Sequence, residues 1–167
     1  MNIFDATVPA LNHFLGSLSA IMKKAEAHCA AKKIDPAVML SQRLYPDMFT
    51  LTRQVQIATD TAKGAGARLA GVAVPSFPDE EKTFEELQAR IAKTIDFLKS
   101  LEKAQFDGAE TRAIVLKVGG RELNFSGEPY LETWVKPNFY FHVSMAYAIL
   151  RHNGVELGKP DFLAGAQ

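Results

Sequence analysis

Of the side chains in this 167-residue sequence that could carry chemistry, His142 is the most suggestive. Asn138 precedes it by four residues, so on a helix the two stand one above the other and address a common point. Inside a helical bundle that is the spacing of a metal site. The donor chemistry is poorer than the spacing. A catalytic zinc or nickel centre takes about three strong nitrogen, sulfur or carboxylate ligands, and an asparagine amide is a weak neutral one. A third donor would have to come from another helix, where Asp47 and Gln54 fall at the edges of an inward face. The competing reading is a buried imidazole hydrogen-bonded to Asn138 or to a tyrosine. The expectation is a small-ligand pocket formed by His142, Asn138, Tyr45, Asp47 and Gln54. Zinc or nickel is disfavoured there, the cofactor is unknown, and no catalytic residue is assigned.

Other chemistries have less to stand on. Cys29 lies on a buried stripe with no cationic neighbour to lower its thiol pKa, which makes it a small core residue. No Gly-x-Ser-x-Gly turn occurs, and Ser144 falls on the opposite helix face from His142. VGGREL lacks the spacing and the Lys-Ser/Thr ending of a phosphate loop. His13 points away from its helix's apolar stripe, toward solvent or another subunit, and His152 is explained as a cation at a helix C-terminus.

The elements that must position these residues are mostly helical. Leu11, Phe14, Leu15, Leu18, Ile21, Met22 and Ala25 recur at helical intervals and predict a first helix over about 5–33, capped by Asp5 or Thr7, with Pro9 in the first turn. A connector with one brief helix after Asp35-Pro36 leads to a second long helix from Asp47 to about Gly71. Its alanines imply close approach of a neighbour, and Arg53 points away from the inward face. A proline-containing loop, VAVPSFPDEE, carries Ser76 and Phe77 across the bundle end. A third helix follows, capped by Asp79, with Phe84, Leu87, Ile91, Thr94, Leu98 and Leu101 on its seam and its glutamates on a solvated face. AIVLKV and RELNF flank Gly119-Gly120, a specific hairpin signal, and a lone hairpin must pack on the helices or another chain. YLETWV predicts a short helix with Trp134 as a packing anchor. The last helix runs from Pro137 to about His152, stops at Asn153-Gly154, and precedes an extended tail whose Phe162 and Leu163 tuck back. On it Tyr140, Ser144, Tyr147 and Arg151 form a face of interface-like composition, which predicts a homodimer.

Length and composition agree with one domain over 1–167. The chain is 47% hydrophobic and 23% charged, with 19 basic and 19 acidic residues, so no net field draws it to nucleic acid. No run of about 18 apolar residues and no secretory segment is present, which predicts a cytoplasmic protein without a membrane span.

RLYPDMFTLTRQVQIATDTAKG and PNFYFHVSMAYAILRHNGVELGKPDFL resemble the corresponding segments of a bacterial domain-of-unknown-function family within the DinB/YfiT-like superfamily, and the resemblance covers nearly the whole chain. It implies a mostly α, DinB-like four-helix bundle, here with a small β-hairpin inserted between the third and fourth helices. It also implies that metal-binding relatives use one histidine from the second helix and a His-x-x-x-His pair on the last. In this sequence His142 is the only one of those three positions to hold histidine: Asn138 takes the first place of the pair, and the region around Arg53 and Gln54 has none. The implied function is small-ligand binding at a degenerate metal site. Thiol-dependent transfer or hydrolysis, as in some relatives, is the enzymatic alternative, and a dimeric interaction protein is the third.

Overall fold

The computed structural model of the protein describes residues 2–164. Its first helix, α1 (Ile3–Lys32), is 30 residues long, or about 45 Å. It starts before both predicted caps because Asn2 reaches the helix first: its side chain accepts from the Phe4 N–H at 2.8 Å. Asp5 therefore sits in the first turn, where its charge complements the macrodipole, and Thr7 is buried with its hydroxyl donating to the Ile3 carbonyl. Pro9 consequently lies inside the helix and not in its first turn. The brief helix α2 (Pro36–Leu40) is capped by Asp35 as its sequence implies.

Helix α3 (Leu51–Ala70) also departs from its predicted start. Thr50 provides the cap, and the Leu51 N–H donates back to the Gln42 carbonyl at 2.8 Å, so Asp47 belongs to the preceding irregular segment. Helix α4 (Phe84–Lys99) begins with a capping box formed by Thr83 and Glu86, which displaces Asp79 from the predicted capping role. Its seam is buried as expected through Phe84, Leu87, Ile91, Thr94 and Leu98.

Strands β1 (Ala113–Val118) and β2 (Arg121–Ser126) form the antiparallel hairpin, with Val118 paired to Arg121 and both turn glycines at positive φ. Ile114 and Leu116 alternate into the core, so the hairpin packs on the helices of its own chain. After it the chain is continuously helical: one turn, α5 (Gly127–Pro129), a π-helical segment over Tyr130–Val135, then α6 (Lys136–His152). The predicted break before Pro137 is replaced by that widened turn, which accommodates a residue without an N–H. Gly154, at φ +84°, follows the end of α6. The tail is a short helix, α7 (Lys159–Leu163), where an extended segment was expected.

Helix α3 packs between α4 and α6, and α1 closes the bundle against the same two helices. The architecture is thus a mostly α four-helix bundle, α1, α3, α4 and α6, with the hairpin inserted before the last helix. The tyrosine face of α6 is covered from within: the Tyr140 ring meets Phe14 of α1 edge-on at 5.0 Å, and Phe162 of α7 lies 5.3 Å from Phe14 and 6.1 Å from Tyr147. Exposed His13 holds that tail through a 2.7 Å contact between Nε2 and the Leu163 carbonyl. Among the described residues no helix is long and apolar enough to cross a membrane.

Candidate functional site

The packing of α3 on α6 brings two of the predicted site residues together. Gln54, 1% exposed, and His142, 7% exposed, face each other across the helix interface. His142 Nδ1 lies 2.7 Å from Gln54 Oε1. The Gln54 amide is oriented by its other end, since its Nε2 donates to the Phe49 carbonyl at 3.3 Å. Oε1 is then an acceptor, so Nδ1 carries the imidazole proton and Nε2 carries the lone pair. Nε2 makes no hydrogen bond among the described residues. Burial pushes the His142 pKa down and the nearby Arg53 charge pushes it further, which keeps the ring neutral. Aromatic rings flank the pair. Phe141 packs edge-on against the imidazole at 5.2 Å, Phe49 lies under the Arg53 guanidinium at 5.9 Å, and both are half-exposed.

The other predicted members are placed differently. Asn138 shares the inward side of α6, but its amide turns back one turn to donate to the Trp134 carbonyl at 2.7 Å, where the π-helical segment meets α6. Tyr45, 65% exposed, and Asp47, also exposed, stand in the segment before α3. Among the described residues no three His, Cys, Asp or Glu side chains converge to hold a metal ion. The donors closest to the point predicted for one are an imidazole and two amides already committed to other groups. That set does not fit a zinc or nickel centre.

A family model described as a domain of unknown function, DUF1993, matches residues 3–163. This chain belongs to the DUF1993 family. It is also similar to the crystal structure of a DinB family member protein from Shewanella denitrificans, at 43% identity and a TM-score of 0.88, over 96% of this chain and 91% of that one. No curated protein matches it. The DUF1993 chain therefore carries a DinB-like bundle.

One polar cluster of this DUF1993 protein was not singled out from its sequence. Arg90 of α4 is 3% exposed, and its guanidinium makes four hydrogen bonds and a further ion pair. Nε donates to the Thr59 hydroxyl at 2.8 Å, one terminal nitrogen to the Pro78 carbonyl and Glu81, both at 2.9 Å, and the other to Asp60 at 2.7 Å, with the Asp79 carboxylate paired to it at 3.0 Å. Asp79 also pairs with Arg53 at 2.5 Å, and Glu81 accepts from Gln56 at 2.9 Å. Burial alone would raise the Glu81 pKa, but the hydrogen bonds from Arg90 and Gln56 outweigh it and hold the carboxyl below its ordinary range. Phe77 closes the cluster, with the Lys63 and Lys93 ammonium groups 4.2 and 4.3 Å from its ring centre. The signal in the sequence was a charged residue between Leu87 and Ile91, on the buried seam of α4. Because Arg90 joins Thr59 and Asp60 of α3 to Pro78, Asp79 and Glu81, the cluster is a clasp that ties the 71–83 loop to α3. It also positions Arg53 beside His142.

Proposed function

We propose that this DUF1993 protein is a small-ligand-binding protein on a DinB-like bundle, in which the metal site of the superfamily has degenerated and His142 acts through its own lone pair. The observation that supports this reading is the 2.7 Å contact of His142 Nδ1 with Gln54 Oε1. It fixes the tautomer and leaves Nε2 as an acceptor for a ligand N–H or O–H. Arg53 and the rings of Phe49 and Phe141 supply a cation and apolar surface beside it, and the segment carrying Tyr45 and Asp47 is the remaining wall of the proposed pocket.

The degenerate-metal part is tested by rebuilding the pattern. Purified wild-type protein is expected to carry no stoichiometric metal by elemental analysis, whereas an Asn138→His, Gln54→His double variant is expected to retain about one zinc or nickel ion after gel filtration. Stoichiometric metal on the wild type would sink the reading. The ligand part is tested by native mass spectrometry and ligand-detected NMR against a metabolite library, where His142→Ala should abolish whatever the wild type binds.

The enzymatic alternative uses the same tautomer. A neutral imidazole held through Nδ1 with a free Nε2 has the arrangement of a general base, which supports a hydrolase or thiol-dependent transferase. Turnover that survives His142→Ala would remove that alternative.

A further inference from the structure

A second cleft lies toward the other end of α3, about 21 Å from Gln54 at 1.5 Å per residue. It has a volume of 190 Å³ and is lined by α3, β1 and the π-helical segment, with Arg68, Tyr130, Trp134, Leu116, Lys117 and Val118 in its wall. Its polar lining is Arg68, Tyr130, Lys117, Thr61 and Asp60. Arg68 is half-buried, makes no ion pair among the described residues, and spends one N–H on the Tyr130 hydroxyl oxygen at 3.2 Å. That bond occupies an acceptor site on Tyr130, which leaves its O–H proton to donate. Burial raises the Tyr130 pKa and outweighs the opposing Arg68 charge, so the phenol stays protonated. Lys117, exposed on β1, adds a second cation at the rim. The acid in the wall, Asp60, has its charge paired through Oδ1 with Lys63 at 2.5 Å and Arg90 at 2.7 Å.

The Arg68 guanidinium, with no carboxylate paired to it, and the Tyr130 O–H beside it form a donor set that recognises an oxyanion. Trp134, Leu116 and Val118 add apolar and aromatic wall. A cavity of about 150 Å³ is known to accommodate benzene, so this one has room for an aryl or short acyl body against Trp134, Leu116 and Val118.

We propose that this cleft is a binding site for a small carboxylate with an apolar body, its oxygens held by Arg68 and Tyr130 and its body resting on Trp134. Gly64, one turn before Arg68, is part of the design. A methyl group there would meet Arg68 Nη1, so the glycine lets the guanidinium lie back along α3 toward Tyr130.

Trp134 is the chain's one tryptophan, and its emission reports the site directly in the full-length protein. Titration with benzoate is expected to change Trp134 fluorescence saturably, and inorganic phosphate, which has no apolar body, to bind more weakly. Arg68→Gln should weaken benzoate binding by about tenfold or more, the scale of a lost charged hydrogen bond. Gly64→Ala should weaken it as well while leaving helicity and Tm unchanged or higher, because alanine favours a helix and the group it displaces is the flexible end of a side chain. That second variant decides the matter even where Arg68→Gln perturbs folding. Absence of a saturable response to benzoate, phosphate binding as tight as benzoate, or a Gly64→Ala variant that titrates like the wild type would each overturn the proposal.

Discussion

His142 is a titratable group held neutral by its surroundings. Its folded-state pKa is depressed below 6.5, by burial first and by Arg53 second, so the unfolded chain takes up a proton at higher pH than the folded one. The corresponding stability is present above about pH 6.5 and declines as pH falls through that region toward the folded pKa. In an NMR titration the His142 ring signals should move below the ordinary 6.5 of a histidine. Gln54→Glu would set a carboxylate against Nδ1, and the His142 pKa should then rise above its ordinary value; a titration unchanged from wild type would contradict the geometry. Gln54→Ala leaves Nδ1 unpaired and should cost about 1–3 kcal/mol in chemical denaturation. Cys29 presents the opposite case of a residue with no evident role. It is buried, and burial raises its pKa, with Glu26 and Asp35 adding to the effect. Thiol reagents should label it at a useful rate only once the protein is unfolded.

The same logic of committed donors governs the elements. The Arg90 clasp places one buried cation among half-buried Glu81 and the more exposed Asp60 and Asp79, so truncating it leaves three acids without their shared partner. Arg90→Met should cost about 1–3 kcal/mol in denaturant unfolding, and limited proteolysis should then cut first within 71–83. At the entry to the last helical run, Gly127 faces the backbone. A Cβ there would collide with the Ala109 carbonyl oxygen, and a backbone atom cannot swing aside as a side chain can. Gly127→Ala should cost about 1–3 kcal/mol as overpacking, whereas Gly64→Ala, where the neighbour is the tip of Arg68, should not. The two substitutions are identical on paper, and their difference rests on what stands opposite each glycine. Capping shows a related competition. Asp5, Thr7 and Asp79 are all competent caps, but Asn2 and Thr83 take the roles, which frees Asp79 to pair with Arg53 and Arg90.

For the molecule as a whole, acid should act through the clasp. Glu81 has a folded pKa below the ordinary 4.5 of a glutamate, so its stabilisation is present above about pH 4.5 and is lost as pH falls through the folded value. Thermal unfolding of Glu81→Gln should accordingly lose less Tm than wild type between pH 4.5 and lower pH, although the variant starts from a lower Tm at pH 7. The sequence by itself determined the bundle, since a 3.6-residue period marks a buried face wherever it occurs and two glycines between β-rich runs admit a tight hairpin. It also determined that asparagine stands one turn before His142 and that the second long helix holds no histidine, because residue identity needs no coordinates. Tertiary structure decided which groups meet. Periodicity says that Gln54 and His142 both face inward, but the relative rotation and register of α3 and α6 set Oε1 against Nδ1, and the widened turn before Pro137 draws Asn138 back to Trp134. The Arg90 cluster was out of reach for the same reason. Its partners come from α3, the 71–83 loop and α4, and a charge on a seam announces that a partner exists without saying where in the chain it lies.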